Sequence, residues 1–305
     1  MKFAVTILGS GSAKPTVERL PSAHVLNVHE HFFLIDCGEG TQISMLKYGI
    51  SASKIDHIFI SHLHGDHYFG LIGLLNTLHL TGRTRMLNLY CFPELREIID
   101  VQLRASATTL SFQINYIYLN LTGVEMILDN KCVSVLSFPL THRISTCGFL
   151  FREKKHSRNI RKDFVSNHNI PLEWFPRILS GEDYIDEQGN SYPNSSIVLR
   201  PGKSRSYAYC SDTSYDESLC PVLYGVSLLY HEASFADEHE AIAKLKFHST
   251  ARQAAHIAKT SDAGALIIGH FSSRYKDVTV LLEQAREVFE NTIVAEDGMT
   301  YNVLV

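Results

Sequence analysis

Four side chains able to hold a metal ion crowd into one short run of this chain. Ser61-His62-Leu63-His64-Gly65-Asp66-His67 directly follows the apolar run Ile58-Phe59-Ile60, where a buried strand is expected to end. Imidazole nitrogen and carboxylate oxygen are the donors that a borderline cation such as zinc accepts. Side chains of an extended chain repeat every two residues, so His62 and His64 face one way and can grip one ion. Gly65 permits a sharp turn, after which Asp66 and His67 can point to a second position. A helical His-Glu-x-x-His differs, because its two ligands four residues apart serve a single ion. Four such groups after a buried strand favour metal binding over a merely polar loop.

A two-ion site needs further ligands, and three candidates share one context, an isolated donor at the end of an apolar strand. His142 follows Val133–Thr141, Asp212 follows Tyr207–Ser211, and His270 follows Ala265–Gly269. Each alone reads as a capping or hydrogen-bonded residue; together they supply the missing ligand types.

The elements that must position these groups follow from periodicity. Strands are expected at 2–8, on both sides of a hairpin over 24–36, and at 56–61, 86–92, 112–119, 124–128, 131–138, 147–151, 196–200, 206–211, 226–233 and 264–269. Helices are expected at 41–48, 68–80, 93–104, 237–246, 250–260 and 277–290, with Pro93 suited to a first turn. Two mixed sheets in the middle with helices outside is the implied α/β architecture, a single domain over 1–305 with the ligands on loops at one edge. Residues 152–195 interrupt it. They begin with a basic run, 152–162, holding six Lys or Arg against one Glu, and show little periodicity. A stretch of this length is usually functional, and it reads as an inserted arm.

The chain of 305 residues is 45% hydrophobic and 20% charged, an ordinary globular composition with ample core. A net charge of −4 argues against a general nucleic-acid coat but leaves room for the local basic patch. No apolar stretch approaches a membrane span, and residues 1–9 read as a strand rather than a signal peptide. The six cysteines show no Cys-x-x-Cys spacing, which suits free thiols in a reducing compartment, the cytoplasm.

His62-Leu63-His64-Gly65-Asp66-His67 resembles the signature of the metallo-β-lactamase fold, an αβ/βα sandwich. Further blocks resemble the ribonuclease Z family, endonucleases that trim the 3′ end of tRNA precursors. These are Leu34–Gln42, Pro139-Leu140-Thr141-His142, Ser211-Asp212-Thr213, His231-Glu232-Ala233-Ser234, His248-Ser249-Thr250 and Gly269–Tyr275. The likeness runs from residue 3 to about 290 and corresponds to the short form. The chain departs from the family pattern at Arg19-Leu20-Pro21, where Arg-Asn is usual, and in the arm, where Leu172–Pro176 stands in place of a Gly-Pro motif.

The resemblance implies two zinc ions per subunit, with manganese or another divalent ion as a substitute. His62, His64 and His142 would hold one, Asp66, His67 and His270 the other, with Asp212 bridging. It further implies that Asp66 orients the attacking water and accepts its proton. His248, positioned by Glu232, would protonate the leaving 3′ oxygen, and Arg274 would contact phosphate. The products would be a tRNA 3′-hydroxyl and a trailer with a 5′-phosphate. The arm, 152–195, would grip the tRNA as an exosite, and the family works as a homodimer without a membrane partner. Two competing readings are a hydrolase of a small phosphodiester, ester or thioester, which leaves the arm idle, and an RNA-binding module with structural metals. Mixed ligands with a bridging carboxylate oppose the latter, because structural zinc sites are closed and usually rich in cysteine.

Overall fold

The computed structural model describes residues 1–154, 159–199 and 204–305. Alternating burial builds its layers. Phe33 and Ile35 enter one apolar cluster while Leu34 between them enters another. Phe149-Leu150-Phe151 and Tyr207-Ala208-Tyr209 divide in the same way. The shared cluster draws side chains from two seven-stranded sheets and lies between them, with Phe59 and Phe149 ring centroids 5.3 Å apart. Each outer face is covered by helices: Leu71–Leu80 and Glu94–Ala105 on one sheet, Ala251–Thr260 and Thr279–Arg286 on the other. This is the expected αβ/βα sandwich.

The first sheet runs in the order Thr300–Asn302, Phe3–Gly9, Ala23–Val28, His31–Ile35, Ile55–Phe59, Leu87–Cys91, Ile114–Tyr118. The second runs Thr292–Val294, Leu266–Gly269, Leu228–Glu232, Ser206–Cys210, Cys147–Glu153, Val133–Pro139, Glu125–Asp129. Each sheet has a parallel half: from His31–Ile35 to Ile114–Tyr118 in the first, from Ser206–Cys210 to Thr292–Val294 in the second. Parallel strands bring their carboxyl ends to one edge, where α/β sheets build their sites. Asp36, His62, Asp212, Ser234 and His270 all follow the ends of such strands.

Some elements differ from expectation. The helix expected at 68–80 is a single turn, Gly65–Tyr68, followed by Leu71–Leu80. Gly70 interrupts it by packing on the Cys37–Gly38 backbone, where a Cβ would stand 2.1 Å from the Gly38 carbonyl oxygen. The helix expected at 237–246 opens as a 3₁₀ turn before Glu240–Leu245, and the one at 277–290 shortens to Thr279–Arg286. Strands Thr292–Val294 and Thr300–Asn302 were not expected; three residues are too few to show a period.

Residues Lys154–Ser204 cluster as a separate compact unit. Where an irregular stretch is expected, this unit has helices Lys162–His168 and Trp174–Ser180 and a core of its own. Ile170, Ile178, Tyr184, Ile197 and Val198 are buried in it, with Phe164, Trp174 and Tyr192 packed around them. Its bounds shift from 152–195 because Arg152 and Glu153 stay in a strand while Ile197 and Val198 join its core. Of the basic run 152–162, residues 155–158 lie outside the described residues, as does residue 200 of the strand expected at 196–200. Arg161 is paired with Asp163 at 2.7 Å.

In the main unit, the chain leaves and returns at adjacent positions, Arg152 pairing with Ser206 across the ladder. The next residues outward are tied together. Glu153 accepts from Arg205 Nη2 at 2.6 Å, Nε at 2.9 Å and the backbone N–H at 3.2 Å, and meets His29 Nε2 at 2.5 Å. Burial opposes the charged carboxylate, but the Arg205 and His29 hydrogen bonds outweigh it and hold its pKa at about 2. A depressed carboxylate stabilises the fold above its unfolded pKa and loses that contribution as pH falls through the folded value. Glu153→Gln is therefore expected to cost about 2 kcal/mol in urea unfolding at pH 7. The difference from wild type should shrink as pH drops from about 4.5 towards about 2.

Candidate metal centre

His62 and His64 leave the end of the strand Ile55–Phe59 in extended backbone, and Asp66 and His67 lie on the helical turn that follows. Gly65 opens this helical turn without left-handed backbone, and a Cβ there would meet the exposed Phe69 ring at 2.1 Å, so that ring would have to move. His142 comes from the loop after Val133–Pro139, Asp212 from that after Ser206–Cys210, and His270 from that after Leu266–Gly269. The structure brings all seven together in two interlocked sets.

Four donors about 2.0–2.1 Å from one cation stand roughly 3.3–3.4 Å apart, as corners of a tetrahedron. In the first set His64 Nδ1 lies 3.0 Å from His62 Nε2 and 3.2 Å from His142 Nε2. Asp212 Oδ2 lies 3.5 Å from His62 Nε2 and 3.8 Å from His142 Nε2. In the second set Asp66 Oδ2, His67 Nε2, His270 Nε2 and Asp212 Oδ1 have contacts of 3.1–3.4 Å. One carboxylate thus offers an oxygen to each set.

Hydrogen bonds on the far side of four of the five rings fix which nitrogen is bare. His142 Nδ1 donates to the Phe247 carbonyl at 2.8 Å. His67 Nδ1 donates to Asp36 at 2.7 Å. His62 Nδ1 meets Ser61 Oγ at 3.1 Å, and His270 Nδ1 meets Ser234 Oγ at 3.0 Å. Both hydroxyls can accept, since Ser61 donates to Asp36 and Ser234 to Glu232. Four Nε2 lone pairs therefore face inward together with Asp212 Oδ1, a buried atom with no hydrogen-bond partner. Lone pairs gathered without donors are satisfied by a cation, and the donor chemistry is that of a divalent metal site.

The electrostatics agree. Burial and the neighbouring His67 hold His62 at about 4, leaving it neutral and able to ligate. Burial would also lower His67, yet the carboxylates of Asp66, Asp212 and Asp36 push it well above the usual imidazole range. The centre calls for positive charge.

Beside the sets, His248 Nδ1 donates to Glu232 at 2.8 Å. Glu232, fully buried, also accepts from the backbone N–H groups of Thr213, Ser249 and Ser234. Burial pulls His248 down, but Glu232 lifts it to about 9, so it carries its proton at neutral pH. His248 and the donor sets border a cavity of about 460 Å³ lined by Asp66, His142, Asp212, His248 and His270 among others. Arg274 is not among the lining residues; its exposed guanidinium lies over the Phe235 ring, 5.5 Å from the centroid.

Comparison with known proteins decides the family. The chain is 42% identical over 302 residues to ribonuclease Z of Phocaeicola vulgatus, covering 99% of this chain and 98% of that one. It is 45% identical over 304 residues to ribonuclease Z of Cytophaga hutchinsonii, covering 99% and 97%. The chain belongs to the ribonuclease Z family. It also falls within a family model described as "Anti-Pycsar protein Apyc1", matched over residues 3–258. Among solved structures, human tRNase Z, short form (ELAC1), superposes with a TM-score of 0.72 at 27% identity, over 99% of this chain and 100% of that one. The metallo-β-lactamase fold protein YhfI from Bacillus subtilis, at 18% identity and a TM-score of 0.68, shares the fold.

Ribonuclease Z motifs in the sequence name the donors but not what holds them. Asp36 is fully buried, with φ 55°, and accepts from Ser61 N, Ser61 Oγ, His67 Nδ1 and Tyr209 OH at 2.6–2.9 Å. Its sequence signals are its place in the block Leu34–Gln42 and at the end of the apolar run Phe32–Ile35, and neither shows its partners. Ser234 links His270 to Glu232, and Tyr209 braces Asp36 from the opposite sheet. Asp36→Asn cannot accept all four donors and should loosen His67. Zinc affinity, read by competition with a chromophoric chelator, is expected to fall about 10- to 100-fold.

Proposed function

We propose that this protein is a zinc-dependent endoribonuclease that removes the 3′ trailer from tRNA precursors. The observation that carries this reading is Asp212, whose two oxygens belong to two separate sets of donors in the cavity. Full-length identity of 40–45% to proteins named ribonuclease Z supports the substrate.

His62, His64 and His142 would hold one ion and Asp66, His67 and His270 the other, with Asp212 shared. When bound, such a pair offsets charge on phosphoryl oxygens and lowers the pKa of a shared water from about 15.7 towards about 7. Asp66 orients the attacking water and takes its proton. Glu232 holds the His248 Nδ1–H and keeps the ring protonated, leaving Nε2 to protonate the departing 3′ oxygen. Arg274, over the cavity-lining Phe235 ring, would contact backbone phosphate beyond the cut. The compact unit 154–204, with Lys162 exposed, serves as the tRNA exosite. Phosphate contacts of that kind position a substrate without reading its sequence. A homodimer in the cytoplasm goes with this reading, and the six free thiols suit a reducing compartment. Among the described residues no helix is long and apolar enough to cross a membrane.

A tRNA precursor with a 3′ trailer should be cut once, next to the discriminator base, leaving a 3′-hydroxyl and a 5′-phosphate on sequencing of both fragments. EDTA should stop the reaction and added zinc or manganese restore it, and Asp66→Ala should abolish it. An uncut precursor alongside metal-dependent hydrolysis of bis(p-nitrophenyl) phosphate would instead mark a small-ester hydrolase.

Because residues 152 and 206 are ladder partners, a short Gly-Ser link can replace 155–203 without stretching the main fold. That variant should melt cooperatively and hydrolyse bis(p-nitrophenyl) phosphate, yet lose at least 100-fold in kcat/KM on tRNA precursor. Unchanged precursor cleavage would remove the exosite role.

A further inference from the structure

The helix Glu240–Leu245 ends in a turn that chains commonly build with glycine. His248 N–H donates to the Ala243 carbonyl at 2.9 Å and Phe247 N–H to the Lys244 carbonyl at 3.3 Å. These are the paired bonds of a Schellman stop, whose corner residue takes a left-handed conformation. Here that residue is Phe247, with φ 58°. A bulky side chain is strained there and glycine is not.

Burial does not repay the strain. The Phe247 ring is 39% exposed and lines the cavity over the metal centre. It stands edge-on to His142, with ring centroids 6.5 Å apart at 85°. The Phe247 carbonyl orients His142, but any residue supplies a carbonyl. The ring is what remains to be explained, and strain in a functional cavity is a guide to function.

Two cations border the same cavity. Arg143 and Lys246 line it, both exposed and without a carboxylate partner among the described residues. Arg143 Nη2 stands 3.2 Å from His64 Nε2. A guanidinium has only donors, and with an ion on His64 Nδ1 the ring would carry its proton at Nε2, so with the centre filled this contact would not hold Arg143 in place. An exposed aromatic face beside unpaired cations matches a single-stranded nucleotide, with its π-face and its phosphate.

We propose that Phe247 stacks the base of a nucleotide adjoining the scissile phosphate, with Arg143 on that nucleotide's backbone phosphate. The proposal rests on the nuclease reading and adds a specificity-determining contact to it. The turn Leu245–Phe247 then does two things at once: its backbone aims His142 and His248, and its side chain holds the substrate strand.

The test uses Phe247→Gly, Phe247→Leu and Phe247→Trp in the full-length protein. Glycine suits φ 58° and keeps the carbonyl, so the Gly variant should melt no lower than wild type and bind zinc equally in chelator competition. On tRNA precursor, Phe247→Gly and Phe247→Leu should raise KM roughly 5- to 100-fold with little change in kcat, and Phe247→Trp should recover most of the loss. An abasic nucleotide on one side of the cut should cost wild type the same factor and cost Phe247→Gly nothing further. Arg143→Met should make the salt dependence of log KM shallower by about one unit. The proposal is overturned by equal abasic penalties in wild type and Phe247→Gly, by rescue with leucine, or by a fall in kcat with weakened zinc binding. A wild-type protein that leaves the precursor uncut removes the nuclease reading itself, and this contact with it.

Discussion

A buried carboxylate divided between two groups of imidazoles governs this structure. Asp212 is 3% exposed, and its Oδ1 has no hydrogen-bond partner. Removing an ionised carboxylate from water is costly unless an opposite charge meets it. The surrounding Nε2 atoms cannot meet it as neutral rings, because each ring has its proton committed on the far side. Only a cation or extra protons can offset it, and the same carboxylates push His67 well above the usual imidazole range. Asp212 follows a strand of one sheet and His62 and His67 follow a strand of the other. Ions bound here would therefore tie the two sheets together, and binding to the native state alone adds to its stability.

The layer behind the donors turns a cluster into a defined centre. Ser61 and Ser211 meet hydroxyl to hydroxyl at 2.9 Å where the two sheets face each other. Tyr209 reaches across from the second sheet to Asp36 on the first at 2.6 Å. These bonds are buried and mutually dependent, so ring orientation is inherited from the sandwich as a whole. Carboxyl ends of parallel strands supply the positions, and crossed hydrogen bonds supply the angles.

The donors were legible because they belong to local patterns. His62, His64, Asp66 and His67 announce themselves by spacing after a buried strand, and His142, Asp212 and His270 by their place at strand ends. What sequence could not show is which strand ends meet. Asp36 lies in the block Leu34–Gln42, but its task shows only once Tyr209 and His67 are seen on either side of it. The compact unit 154–204 was misjudged as irregular for the same reason. Phe164, Trp174, Tyr184 and Tyr192 are scattered along the chain and form a cluster only in space, with Trp174 and Tyr184 rings 5.2 Å apart. Phe247 carries no signal in the sequence, because its left-handed backbone shows only in the fold. At Gly65 the chain does turn, into the helical turn Gly65–Tyr68, without left-handed backbone.

Asp36 and His270 share a feature with consequences for how this protein changes over time. Both hold left-handed backbone, φ 55° and 59°, at the heart of the centre. Asparagine or glycine would rest more easily at either backbone, yet neither could accept all four bonds that Asp36 receives or supply the ring of His270. Drift towards a more relaxed backbone is therefore barred at these two positions by the side chains they must carry.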